Sequence, residues 1–256
     1  MLHIKNLTVK VDNKIILKDF NLDIKDGEIC VIMGPNGVGK STLTKVIMND
    51  PNYKVIEGDI KLNGESILSL TTDERAKKGI FLANQNPLEI DGVTNSDFLR
   101  TALSSIKGEN INLYSFIKEI DKAKEDLHMP DEMVHRSINK GFSGGEKKKN
   151  EILQMKILKP SFVMLDEIDS GVDVDSLKVV SDNLNMYKKE NKNASYLIIT
   201  HYTHLLNYIK PDVVHILNNG KIVKTGNYVL AKKIEENGFN FDQIVSSVNT
   251  EVNPDE

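Results

Sequence analysis

The sequence predicts an α/β fold: a phosphate-loop parallel sheet with an N-terminal antiparallel β-subdomain and an inserted helical subdomain. Three observations carry this. Gly34-Pro35-Asn36-Gly37-Val38-Gly39-Lys40-Ser41-Thr42 fits G-x-x-x-x-G-K-[ST] and directly follows the apolar run Ile29-Cys30-Val31-Ile32-Met33. Short apolar runs then alternate with helical patterns through the second half, which implies a mainly parallel sheet with helices on both faces. Between them, from Pro87 to Lys140, Leu113, Phe116, Ile117, Ile120 and Leu127 recur at helical spacing with no β-branched run intervening.

Taken in order, β-type runs fill Leu2 to Val11, Ile15 to Leu17 and Phe20 to Ile24, broken by the turn signals Asp12-Asn13 and Asp26-Gly27. They read as a small antiparallel sheet ahead of the loop. A helix should begin near Lys40. Gly58 to Leu62, with Asn63-Gly64 behind it, reads as another strand and turn. Thr72 to Lys78 reads as a short helix capped by Thr71 or Thr72, leading into a strand from Ile80 to Ala83. After the helical stretch come a long helix (Gly144 to Leu158), a strand (Phe162 to Leu165), a helix (Val174 to Lys188) and a strand (Tyr196 to Thr200). A further helix and two strands, Val213 to Leu217 and Lys221 to Lys224, complete the pattern. The expected organisation is one domain over 1–256, with its core in 1–86 and 141–245 and a helical subdomain in 87–140. Residues 246–256, polar and acidic, read as a frayed tail. No internal repeat is present.

Composition narrows the function classes. A net charge of −4 offers no basic surface for nucleic acid. No apolar run is long enough to span a bilayer, and Met1-Leu2-His3-Ile4-Lys5 does not read as a signal peptide, so any membrane role would come through a partner. The single cysteine, Cys30, rules out an internal disulfide framework and fits a reducing, cytoplasmic setting.

The motifs point to nucleotide chemistry. Glycines in the loop let amide N–H groups approach phosphates, Lys40 adds a point charge for the β- and γ-phosphates, and the Ser41 hydroxyl is placed for Mg²⁺. The run Phe162-Val163-Met164-Leu165 ends in Asp166-Glu167, two carboxylates at the tip of a buried strand. In a phosphate-loop fold that is where Mg²⁺ is held, with Asp166 reaching the metal and Glu167 orienting or deprotonating a water. Ser143-Gly144-Gly145-Glu146 can open a helix with bare amides, an anion site.

In that order, with Gln85 after a strand, Ser170-Gly171-Val172-Asp173 and His201, these features resemble the ATP-binding-cassette ATPases over nearly the whole chain. The resemblance implies ATP and Mg²⁺ as ligands. It also implies a Gln85 that senses the metal and the attacking water, and a His201 that contacts the γ-phosphate. Two chains would close head to tail on two ATP molecules, with Ser143 to Gly145 and Glu146 acting in trans and Asp173 in the loop at the dimer seam.

Longer segments narrow the resemblance to the branch serving the SUF system of iron–sulfur cluster assembly: Gly141 through Met155, Leu165 through Val180, Thr200 through Asp212, and Asn84 through Val93. Transporter ATPases usually follow the signature with Gln-Arg-Gln-Arg, whereas this chain has Lys147-Lys148-Lys149-Asn150. The implied partners are SufB-like and SufD-like scaffold chains docking on the lobe behind Gln85. The alternative sharing every catalytic residue is the ATPase subunit of a membrane transporter. Two departures stand out. Residues 1–19 contain no Phe, Tyr or Trp, so the usual aromatic for adenine near Val11 is missing and a loose adenine contact is expected. Val38 replaces a smaller loop residue, at little expected cost. Cys30, in an apolar strand, reads as a small buried hydrophobe, so iron and sulfur belong on partner chains.

Overall fold

The computed structural model describes residues 1–239. β1 (Leu2–Val11) turns at Asp12-Asn13 into β2 (Lys14–Ile24). The two apolar runs expected inside β2 are one strand. Asp19 takes a left-handed φ of 49° between them, and the β1–β2 register shifts there, so the interruption is a bulge. β3 (Ile29–Met33) feeds the phosphate loop and α1 (Lys40–Ile47). β4 (Tyr53–Leu62) begins well before Gly58, which reads in sequence as its edge. Gly58 instead lies inside the strand at φ 90°, where a Cβ would stand 2.4 Å from the Asn6 carbonyl oxygen. The glycine marks close strand approach, not a boundary. With β5 (Glu65–Ser66), these strands form an antiparallel sheet in the order β2-β1-β4-β5.

α2 (Thr72–Lys77) carries a capping box on Thr71 and Glu74. From it Arg75, only 1% exposed, reaches back to α1. Its guanidinium donates to the Val46 and Ile47 carbonyls at 2.8 and 3.0 Å and to those of Leu68 and Leu70 at 3.2 and 3.0 Å. That fork adds donors to the last carbonyls of α1, of which that of Val46 also accepts the Asn49 N–H at 3.0 Å, and so fixes the helix whose other end is the phosphate loop.

After β6 (Ile80–Ala83) the insertion opens with β7 (Ile90–Thr94), then α3 (Asn95–Lys107) and α4 (Leu113–Asp126), and closes with β8 (Ser137–Ile138). β7 and β8 pair antiparallel, so the expectation of a purely helical texture is corrected. The ribbon is short, largely exposed and broken by Gly92, which hides it from an apolar pattern. α5 (Gly144–Leu158), β9 (Phe162–Asp166), α6 (Val174–Glu190), β10 (Ser195–Ile199), β11 (Val213–Asn218) and β12 (Lys221–Gly226) follow. The helix expected after β10 is only a 3-10 turn, Leu205–Asn207, and α7 (Tyr228–Asn237) has no counterpart in the sequence reading.

The central sheet runs β12-β11-β3-β10-β9-β6, parallel except for β12. Every residue of β3, β9 and β10 is buried, as a parallel strand covered on both faces requires. Alternate residues serve opposite cores. Val31, Val163, Leu165 and Ile198 meet α5, α6 and the insertion, while Cys30, Ile32, Met164 and Leu197 meet α1 and the antiparallel sheet. The carboxyl ends of β3, β6 and β9 therefore converge at one edge between two rigid cores.

Candidate nucleotide site

α1 starts without a side-chain cap, because its N-cap is Gly39 at φ 106°. No larger residue fits there: a Cβ on Gly39 would come within 2.9 Å of the Leu17 side chain. The first amides of the helix are left for a ligand. Lys40, 4% exposed, folds over its own loop, with Nζ donating to the Gly34 and Pro35 carbonyls at 2.7 and 2.9 Å. Burial lowers its pKa, and the carboxylates of Glu167 and Asp166 pull the other way.

Asp166, the last residue of β9, accepts from Ser41 Oγ and Thr44 Oγ1, each at 3.1 Å. Burial raises its carboxyl pKa against those two hydrogen bonds. Glu167 turns sharply out of the strand at φ 47°, its N–H donating to the Ile199 carbonyl at 2.9 Å. A left-handed glutamate costs of order 1–3 kcal/mol, strain of a kind that concentrates at functional sites. The turn brings three residues distant in sequence onto one carboxylate. Gln85 Nε2 donates to Glu167 Oε2 at 2.5 Å, His201 Nδ1 lies 3.1 Å from Oε1, and Lys40 Nζ lies 3.9 Å from Oε1. A cavity of about 450 Å³ is lined by Asn36, Gly37, Gly39, Lys40, Ser41, Thr42, Gln85 and Glu167, together with Val11, Ile16 and Tyr53. A larger open depression, about 710 Å³ at the end of α3, contains none of the candidate residues.

The signature residues and Asp173 are not among the cavity's lining residues. Ser143 caps α5, its N–H donating to Glu146 Oε2 at 2.7 Å and its Oγ accepting from the Glu146 N–H at 3.3 Å. Asp173 caps α6 through the Ser176 N–H at 2.8 Å. The two caps touch: a Cβ on Gly144 would stand 2.7 Å from the Gly171 carbonyl oxygen, and one on Gly145 would stand 2.5 Å from Ser176 Oγ.

The "ABC transporter" family description matches residues 17–170. This chain belongs to that family. The cassette is 51% identical over 242 residues to Vegetative protein 296 of Bacillus subtilis, covering 94% of this chain and 92% of that one. It is 45% identical over 243 residues to Probable ATP-dependent transporter SufC of Escherichia coli, covering 93% and 97%. Among solved structures it resembles a dimeric ATP-binding cassette in a post-hydrolysis state bound to ADP and Pi. There the TM-score is 0.76 at 21% identity, over 89% of this chain and 98% of that one. The cassette is an ATP-hydrolysing enzyme.

Mg²⁺ commonly keeps several waters and takes one or two carboxylates plus substrate phosphates. Ser41 Oγ and the Asp166 carboxylate, hard oxygens side by side at the loop, fit that demand. Among the described residues no group of three or more His, Cys, Asp and Glu could hold a metal on its own.

Three residues escaped the sequence reading. Tyr53 of β4 pairs with Val11 of β1 and lines the cavity, so an aromatic reaches the place where residues 1–19 supply none. Lys148 Nζ donates to the Asn84 and Gln85 carbonyls at 2.8 and 2.6 Å, and Glu151 Oε2 accepts from the Asn84 N–H at 3.0 Å. Burial pushes the Glu151 carboxyl up to about 7 against that N–H and Lys148, and burial lowers the Lys148 pKa. The available signal was α5 itself. Lys148, Asn150, Glu151 and Gln154 are all buried among Ile152, Leu153 and Met155, so polar residues sit where a helix of this kind usually presents an apolar stripe.

Proposed function

We propose that this cassette drives conformational change in a soluble scaffold on which iron–sulfur clusters are assembled, by hydrolysing ATP at a transient head-to-tail dimer. The observation that carries this reading is the 45% identity to SufC across 93% of the chain. The segments that set the chain apart from transporter ATPases, above all Glu146-Lys147-Lys148-Lys149, support it.

Glu167 is the group that takes the proton of the attacking water. Gln85 holds one of its oxygens and His201 the other, which fixes the carboxylate in place before substrate arrives. Lys40 exchanges the Gly34 and Pro35 carbonyls for the β- and γ-phosphates, a charge-assisted contact worth more than the bonds it gives up. Ser41 and Asp166, with Gln85 beside them, would hold Mg²⁺, which when bound would neutralise charge on the phosphate oxygens. Ser143, Gly144, Gly145 and Glu146 of a second chain offer amides to the γ-phosphate, with Asp173 at the seam. Catalysis is then electrostatic stabilisation by donors already in position. His201 contacts the γ-phosphate and reports its loss.

The lobe built from β7, β8, α3 and α4 is the docking face for SufB-like and SufD-like chains. Ile90 and Val93 of β7 are exposed on it, and Leu88 just ahead of β7 is exposed by 76%. The cluster belongs to those partners: Cys30 is fully buried in β3 and its thiol pKa is raised by burial. No helix of the described residues is long and apolar enough to cross a membrane. The proposed working compartment is the cytoplasm, which the soluble scaffold partners of this reading would share. The experiment is affinity capture of a tagged chain combined with cell fractionation. Recovery in the soluble fraction with a SufB- or SufD-like chain, lost on altering Leu88 to Val93, supports the reading. Recovery with membranes and a multi-spanning protein would replace it with the ATPase subunit of a transporter.

A further inference from the structure

We propose that Lys148 and Glu151 are positioning residues: they tie the peptide backbone at Asn84-Gln85 to the signature helix α5, so that the Gln85 amide stays on the Glu167 carboxylate. This rests on the reading that Glu167 activates water.

Both side chains are nearly sealed from solvent, Lys148 3% exposed and Glu151 5%. Two buried ionisable side chains one turn apart could pair, yet among the described residues they form no ion pair with each other. Each is aimed at the loop instead. Together they take three consecutive peptide groups: the Asn84 N–H, the Asn84 carbonyl and the Gln85 carbonyl. Lys45 of α1 takes the Asn84 side chain from another side, Nζ donating to Oδ1 at 3.1 Å. Burying charge is costly, and apolar residues of similar size would serve packing as well or better. What the charges supply is a fixed location for the backbone that carries Gln85. They also place that backbone under the control of α5, whose first residues are the Ser143 to Gly145 amides offered to the opposite nucleotide. A displacement at the start of α5 reaches Gln85 within little more than one helical turn.

The test compares kcat, KM and ATP affinity for Lys148→Met/Glu151→Gln, which removes both charges together and leaves neither stranded. Thermal melting and ATP titration first establish that the variant is folded. The expected result is unchanged ATP affinity and KM, with kcat lower by about 10–100-fold, the usual effect of misplacing a catalytic group. The same double change in a Gln85→Ala background should add less than about twofold, because interacting residues are non-additive. Should the double variant not fold, Lys148→Gln in both backgrounds gives the same comparison. Wild-type kcat, or an equal further loss without Gln85, would overturn the proposal. Glu167→Gln is assayed alongside. If it is inactive while the Lys148/Glu151 variant turns over normally, only this inference fails; if Glu167→Gln itself turns over normally, both fail.

Discussion

Tyr53→Ala should weaken ATP binding while sparing the phosphates. Tyr53 stands opposite Val11 in the β1–β4 ladder and shares the nucleotide cavity with Val11 and Ile16. Its ring is only partly buried, and its hydroxyl pKa is raised by burial and by Asp50 and Asp166. A half-covered aromatic beside two aliphatic side chains can stack on a flat ring. Base–aromatic stacking contributes about 1–3 kcal/mol per base, so the alanine variant should lose roughly 5- to 150-fold in affinity. The assay is calorimetric titration of wild type, Tyr53→Ala and Tyr53→Phe with ATP and, separately, with inorganic tripolyphosphate. Phe should retain ATP affinity, since the ring and not the hydroxyl does the stacking. Tripolyphosphate should bind all three alike, because the loop and Lys40 are untouched. An alanine variant with wild-type ATP affinity would refute the reasoning. So would an equal loss on tripolyphosphate, which would mean that Tyr53 supports the loop and not the base.

Glu167→Gln should keep ATP binding, lower turnover by about 10²–10⁴-fold and let an ATP-bound dimer persist on size-exclusion chromatography; near-normal turnover would remove Glu167 from its role. Lys40→Ala should fold normally and bind ATP more weakly by calorimetry, since its charge-assisted phosphate contacts vanish; unchanged affinity would contradict the loop reading. Arg75→Met should lower stability by about 3 kcal/mol in urea unfolding, because it withdraws donors from carbonyls at the end of α1, partly offset by releasing a buried charge. Arg75→Lys should recover only part of that, as one ammonium cannot span the four carbonyls the guanidinium reaches.

Where one physical demand governed a segment, its residues announced it. β3, β9 and β10 are buried on both faces and read as unbroken apolar runs, and α5 has a serine cap and a capping-box glutamate that mark its first residue. Errors arose where two demands met. Gly58 looked like a strand end because glycine usually is one, whereas close approach of Asn6 required it mid-strand. The β7–β8 ribbon joins segments far apart in the chain, and no local pattern reports such pairing. Tyr53 was out of reach for a similar reason. Residues 1–19 hold no aromatic, and the one that stands opposite Val11 comes from β4, far along the chain.

The candidate site divides along the same line. Lys40, Ser41, Asp166 and Glu167 were legible because phosphate chemistry dictates both residue type and spacing at a strand tip. Gln85 and His201 are common residue types in ordinary loops, and only the order of motifs singled them out. The geometry gives them a physical reason, since each takes a different oxygen of Glu167. Lys148 and Glu151 lie one step further out, touching neither cavity nor carboxylate. Their trace is a conflict between levels: a helix packed between the sheet and the inserted lobe should bury apolar residues, and α5 buries a lysine, an asparagine, a glutamate and a glutamine. Natural sequences break local rules chiefly where function demands it. A buried polar face on a helix that starts at Ser143-Gly144-Gly145 is therefore a positive signal, visible in the sequence only as a missing apolar stripe. Read as a signal, it leads from Lys148 through the Gln85 backbone to the Glu167 carboxylate, the group proposed to activate water.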